Sequence, residues 1–124
     1  NIALVDRPAN SCAIVHSDSP EGIQRLNQEA AKVIANARRA GMQIAPERAI
    51  GWLTSNAARS LGVEKQTGSL EVGKMGDVVV WNGSPFSSYA LAEKVYIDGH
   101  QVYDRQDVRR QPLSDFMLGQ EARP

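Results

Sequence analysis

The run Cys12-Ala13-Ile14-Val15 limits this chain more than any other feature, because a helix start lies directly downstream of it. A continuous apolar run bounded by polar residues suits a strand covered on both faces, so residues 12–16 read as a short buried strand. In the helix start, Ser19 suits the N-cap and Pro20 the first helical position. Strand, short loop and crossover helix is the unit of a parallel sheet, and such a strand needs neighbours along both edges. The sequence holds one unit of this kind, and its downstream strands are joined by a hairpin and supply no parallel partner. The run therefore predicts pairing strands on polypeptide outside these 124 residues. Asn1 at the start, with neither an initiator Met nor a signal-peptide pattern, points the same way: the natural amino terminus is expected elsewhere.

Helical periodicity continues through Ile23, Leu26, Ala30, Val33, Ile34, Ala37 and Ala40, which predicts an amphipathic helix ending near Gly41. Pro46-Glu47 opens a second helix reaching Leu53, and Asn56 is expected to cap a third that stops at Leu61-Gly62. From Thr67 the pattern changes to glycine punctuation and β-branched residues, with a strand over 77–81. Asp98-Gly99 is a strong type I′ hairpin signal, placing Val95 opposite Val102 and Ile97 opposite His100. The segments fall into residues 1–62, 63–104 and a tail over 105–124, whose apolar cluster Phe116-Met117-Leu118 is expected to lie against a neighbour or to be mobile.

Charge and cysteine content exclude several functions. Fourteen Lys and Arg balance fourteen Asp and Glu, which removes the electrostatic case for nucleic acid or an anionic membrane as partner. The longest apolar runs are about four residues where a membrane span takes about 20. The single Cys12 excludes an internal disulfide framework and a cysteine-rich zinc site; inside a buried strand it would not be a reactive thiol. Gly68, Gly73 and Gly76 precede a strand rather than a helix, which argues against a phosphate loop. Trp52 and Trp81 read as core or interface aromatics, and the Arg38-Arg39 and Arg109-Arg110 pairs as solvated faces. An uncovered strand and apolar helix face would favour self-association, so a homo-oligomer stays open.

Three stretches carry a resemblance. His16-Ser17-Asp18-Ser19, the helical Thr54-Ser55-Asn56-Ala57-Ala58-Arg59-Ser60-Leu61-Gly62 and the glycine-punctuated stretch from Thr67 to Val80 together resemble the carboxyl-terminal third of the amidohydrolase superfamily. The nearest branch is the imidazolonepropionase-like and Xaa-Pro dipeptidase-like enzymes. Two positions depart from the family pattern: Ala57 stands where Pro is usual, and Gly76 where Ala is usual. The resemblance implies an α+β fragment: the last strand and helices of a metal-bearing (β/α)₈ barrel within residues 1–62, then the carboxyl half of a small β-sandwich within 63–104. Such a barrel takes about 250 residues, so this chain cannot close one.

Asp18 lies two residues past His16, the end of the expected strand, and catalytic residues of such barrels come from the carboxyl ends of strands. The resemblance matches Asp18 to the family aspartate that binds the catalytic metal and acts as general base, taking a proton from bound water and passing it to the leaving nitrogen. The competing reading makes Asp18 a helix cap. Strand alternation turns His16 to the same side, where substrate contact and a histidine hydrogen-bonded within the barrel are both open. His100, beside the hairpin turn, reads as a surface residue. The implied cofactor is a divalent metal, zinc by resemblance, in the full-length enzyme. Catalytic zinc takes three protein ligands and a water, and the sequence has two histidines and no His-x-His pair. The isolated segment is therefore expected to hold no metal and to be inactive.

The implied activity is hydrolysis of a C–N bond in a cyclic amide, imidazolone or dipeptide-like substrate, with the amino-terminal remainder of the same enzyme and a small-molecule substrate as partners. The alternative from a different class is a free-standing, non-catalytic β-rich interaction module.

Overall fold

A computed structural model describes residues 2–8 and 10–111. Five helices precede a small sheet among these residues: α1 (Ile2–Val5), α2 (Pro20–Ile23), α3 (Leu26–Arg39), α4 (Pro46–Gly51) and α5 (Ser55–Ser60), then β1 (Val78–Trp81), β2 (Ala92–Ile97) and β3 (His100–Asp104). A 3₁₀ turn over Val108–Arg110 comes last. The apolar cluster Phe116-Met117-Leu118 lies outside the described residues. No described helix is long and apolar enough to cross a membrane.

Local chemistry accounts for most helix ends. Ser19 caps α2, its hydroxyl accepting from the Gly22 N–H at 2.9 Å, and Pro20 takes the first position as its fixed φ favours. The single helix expected from Pro20 to Gly41 is broken: Gln24 and Arg25 separate α2 from α3, and Arg25 caps α3 with no side-chain bond. At the other end of α3, Gly41 adopts φ +76° while the Met42 N–H donates to Ala37 O and the Gly41 N–H to Arg38 O. This is the Schellman arrangement, which satisfies carbonyls the helix leaves free. The same pattern closes α5 at Gly62, with Val63 N–H donating to Ala58 O. Asn56 does not cap α5. Thr54 occupies that position without a side-chain bond, and the Asn56 amide is used elsewhere.

The core is helical and small. Ala13, Val15, Ala30, Ala49 and the fully buried Trp52 form its centre, and Leu26, Val33, Ile44, Leu53 and Phe86 pack around it. Phe86 comes from the loop between β1 and β2, and Asn27 on α3 donates to Pro85 O in that loop at 2.8 Å. That loop fastens the sheet to the helices.

The sheet is antiparallel, in the order β1-β2-β3. Asp98 and Gly99 both have positive φ, 52° and 75°, as a type I′ turn requires, and Ile97 pairs with His100 as expected. Val95 does not face Val102. An irregularity between Val95 and Tyr96 shifts the register, so Val95 pairs with Tyr103. Gly76 has a specific reason to lack a side chain: a Cβ there would stand 2.8 Å from Gly99 N and 3.0 Å from Gly99 Cα. The tight approach lets Gly99 N–H donate to Gly76 O at 3.0 Å, while Asp98 N–H donates to the Asp77 carboxylate at 2.9 Å.

Residues 11–17 belong to no helix or strand among the described residues, and it is their alternating burial that marks them as an extended segment. The strand expected over 12–16 is not formed among the described residues, where no second backbone completes its ladder. Alternation survives: Ala13 and Val15 are buried, whereas Cys12 and His16 are exposed. Cys12 is thus not inside a buried strand; its thiol reaches Asn56 O at 3.5 Å from an exposed position.

Candidate functional site

The extended segment is held along one edge by the junction of α4 and α5. Val15 N–H donates to Trp52 O at 3.2 Å, and the Asn56 side-chain amide donates to Ala13 O at 2.8 Å. Backbone groups of residues two apart point to the same edge of an extended chain, so these two bonds secure the edge of residues 13 and 15. On the other edge, the backbone of Cys12, Ile14 and His16 makes no hydrogen bond among the described residues. Upstream, Arg48 on α4 clamps the approach to the segment. Its guanidinium pairs with the Asp6 carboxylate, donates to Asp6 O, and reaches Pro8 O and Ser11 Oγ at 3.4 Å each. Asp6 is the buried charged residue of the described chain.

Beyond Val15 the segment rises clear of the core. His16 Nδ1 stands 3.5 Å from Asp18 Oδ1, with the side chains 75% and 97% exposed. Same-side placement by alternation is thus realised. Ser17 and Ser19 shape the turn that carries Asp18: Ser19 N–H donates to Ser17 Oγ at 3.1 Å, and Ser17 Oγ donates to Ser19 O at 3.2 Å. A Cβ on Gly22 would collide with Ser17 Oγ, so glycine there keeps the turn closed. Because Ser19 supplies the cap, the Asp18 carboxylate is left uncommitted among the described residues except toward His16. A neighbouring carboxylate is occupied: Glu21 is held below the usual glutamate range by its own backbone N–H and then by the Ser19 hydroxyl.

His16 and Asp18 offer two donors where catalytic zinc takes three and a water, and no group of three His, Cys, Asp or Glu side chains is placed to hold a metal among the described residues. These residues alone do not fit a catalytic metal. His100 sits exposed beside its turn. Two surface cavities are lined by other residues. One lies between α3 and the chain leading into α4, around Ile34, Arg38 and Ile44; the other is an apolar groove between the α4–α5 pair and β1, including Ile50, Leu53, Leu61, Met75 and Val79. Neither is lined by His16 or Asp18.

Sequence reasoning misses the roles of Asn56 and Arg48. Asn56 stands out as polar at a helix start, the right signal given the wrong partner, whereas nothing in the local pattern around Arg48 marks its reach to Asp6.

The amidohydrolase family model matches residues 9–110. The chain belongs to the amidohydrolase family. Among its amidohydrolase relatives it is 37% identical over 68 residues to the imidazolonepropionase of Shewanella pealeana, covering 50% of this chain and 16% of that protein. Identity to the imidazolonepropionase of Shewanella oneidensis is 50% over 40 residues, 32% of this chain and 10% of that one. The crystal structure of an amidohydrolase from Thermotoga maritima superposes with a TM-score of 0.56 at 41% identity, covering 71% of this chain and 22% of its own. The chain thus spans between a tenth and a quarter of the length of these amidohydrolases.

Proposed function

We propose that these residues are the carboxyl-terminal portion of a metal-dependent amidohydrolase that hydrolyses a C–N bond in a cyclic amide, an imidazolone or a dipeptide-like small molecule. Residues 1–62 supply the last strand and helices of a (β/α)₈ barrel, residues 63–104 half of a β-sandwich, and 105–124 a tail. The amino-terminal remainder of the same polypeptide is the partner that pairs with the open edge of residues 12–16. In that whole, Asp18 is one ligand of a divalent metal, zinc by family resemblance, and the carboxylate that moves protons. Water oxygen bonds to the carbonyl carbon, the proton it loses passes through Asp18 to the departing nitrogen, and the C–N bond breaks. His16, beside it, contacts substrate.

The observation that carries this reading is the uncommitted Asp18 carboxylate at the end of an extended segment with one open edge, within a family match that covers most of the chain. The likeness to proteins named imidazolonepropionase supports the substrate class. The test uses the complete polypeptide that carries these residues. A positioned general base contributes about 10²–10⁴-fold. Asp18→Asn is expected to lower hydrolysis of an imidazolone or cyclic amide by at least about 100-fold with the fold intact by circular dichroism. Loss of less than about tenfold overturns the role of Asp18. The 124-residue chain itself is expected to bind no catalytic metal and hydrolyse nothing; micromolar zinc affinity together with turnover of an amide or lactam refutes that part.

A further inference from the structure

We propose that Asn56 is a positioning residue that sets the register of the segment carrying His16 and Asp18. This rests on the reading of Asp18 as the reactive carboxylate, and adds a residue from a different helix to it. Four observations support it. The Asn56 amide donates to Ala13 O at 2.8 Å across 43 residues of sequence, and it does so instead of capping its own helix. The second tie, Val15 N–H to Trp52 O, lies on the same edge two residues further on. No strand on either side fixes the segment among the described residues, so these ties hold it in place. Finally, the segment alternates, with Ala13 and Val15 inward and Cys12 and His16 outward.

Alternation gives the tie its consequence. A slip of one residue in an extended chain moves every side chain to the opposite face. Here it would turn His16 into the alanine-rich core and carry Asp18 to the other side of the turn. Apolar contacts from Ala13 and Val15 resist that slip weakly, because alanine offers little volume to interlock. A directional bond from a side chain anchored on α5 to one particular carbonyl discriminates between registers where packing does not. Ala13 to Ser17 is four residues, about 13 Å of extended chain ahead of the turn, so a small error at Ala13 is carried forward to the carboxylate.

The test has two arms. In the 124-residue chain, amide hydrogen exchange is followed by NMR in wild type, Asn56→Ala and Asn56→Gln. Asn56→Ala is expected to speed exchange of the Val15 amide at least tenfold while Ala30 and Ala37 on α3 stay within twofold, and Asn56→Gln, which keeps an amide donor, recovers part of the protection. Should Asn56→Ala not fold, Asn56→Ser, polar but too short to reach Ala13 O, carries the same readout. Val15 exchange unchanged within twofold overturns the proposal. In the complete polypeptide, the same variants are expected to lower kcat at least tenfold with KM within twofold, Asn56→Gln losing least. Unchanged kcat in an active enzyme overturns the proposal as well. A wild-type polypeptide without hydrolase activity sinks the functional reading instead, and the exchange arm then decides the role of Asn56 by itself.

Discussion

Replacing Arg48 with Met removes the guanidinium and keeps the apolar stem, so its effect isolates the clamp on Asp6. The Asp6 side chain is 6% exposed and that of Arg48 45%. A hydrogen bond to a charged group contributes about 1.5–3 kcal/mol. Removing one partner of a fully buried pair costs about 3–5 kcal/mol, because the other charge stays behind without compensation. Arg48 is nearly half exposed, so water can enter where the guanidinium was and the upper figure does not apply. Ser11 Oγ, 3.3 Å from the Asp6 carboxylate, continues to donate. The expected loss is therefore about 2–3 kcal/mol. In a domain of this size that is a fall in Tm of about 10 °C. Urea and thermal unfolding of wild type, Arg48→Met, Asp6→Asn and the double variant give both the loss and the coupling, expected at about 1–2 kcal/mol. A loss under about 0.5 kcal/mol, or simple additivity in the cycle, refutes the idea that Arg48 compensates a buried charge.

Single contacts set the other expected outcomes. Gly76→Ala must push the backbone of Gly99 aside and is expected to cost about 1–3 kcal/mol, with faster exchange at the Gly99 amide; an unperturbed amide there contradicts the close approach. Trp52→Ala is expected to cost about 3–5 kcal/mol. Trp52→Phe should cost less than half as much, because it also removes the Trp52 Nε1 donor, which is buried without a partner among the described residues; equal losses in urea would contradict this. Acid should weaken the fold. Gln106 N–H holds Asp104 below the usual aspartate range, Arg109 does the same for Asp107, and the Ser69 hydroxyl with Lys74 lowers Glu71. Carboxylates depressed in the folded state stabilise it fully above their unfolded values and lose that contribution as pH falls through the folded ones. A urea midpoint at pH 3 no lower than at pH 7 would refute this.

Features that adjacent residues decide among themselves are legible in the sequence. Ser19-Pro20, Gly41, Pro46 and Asp98-Gly99 each act through their own backbone angles or a bond a few residues long, and each appears where expected. Features that need a distant partner are misassigned. Asn56 looks like a cap because capping is the local use of a short amide at a helix start, and the Ala13 carbonyl that claims it is far away in sequence. Pairing Val95 by counting outward from the turn assumes an unbroken ladder; the irregularity beside Tyr96 breaks the count. The apolar run at 12–15 looks buried on both faces because composition does not say which residues find cover, and here Cys12 does not. Of the candidate site, alternation places His16 and Asp18 on one side, and the turn tied by Ser17 and Ser19 brings them to 3.5 Å. The clamps behind it are not legible in this way, since both come from α4 and α5.

The tip of the β2–β3 hairpin, ordinarily the first place to splice a tag or peptide into a small sheet, is closed to such grafts in this molecule. Both of its central residues are stitched to the strand-entry segment, Asp98 through Asp77 and Gly99 through Gly76. Extra residues there would unfasten two elements at once. The bend at Val72-Gly73 is the better port: Val72 is fully exposed, and residues inserted before it leave Gly73, whose φ of +92° favours glycine, in place.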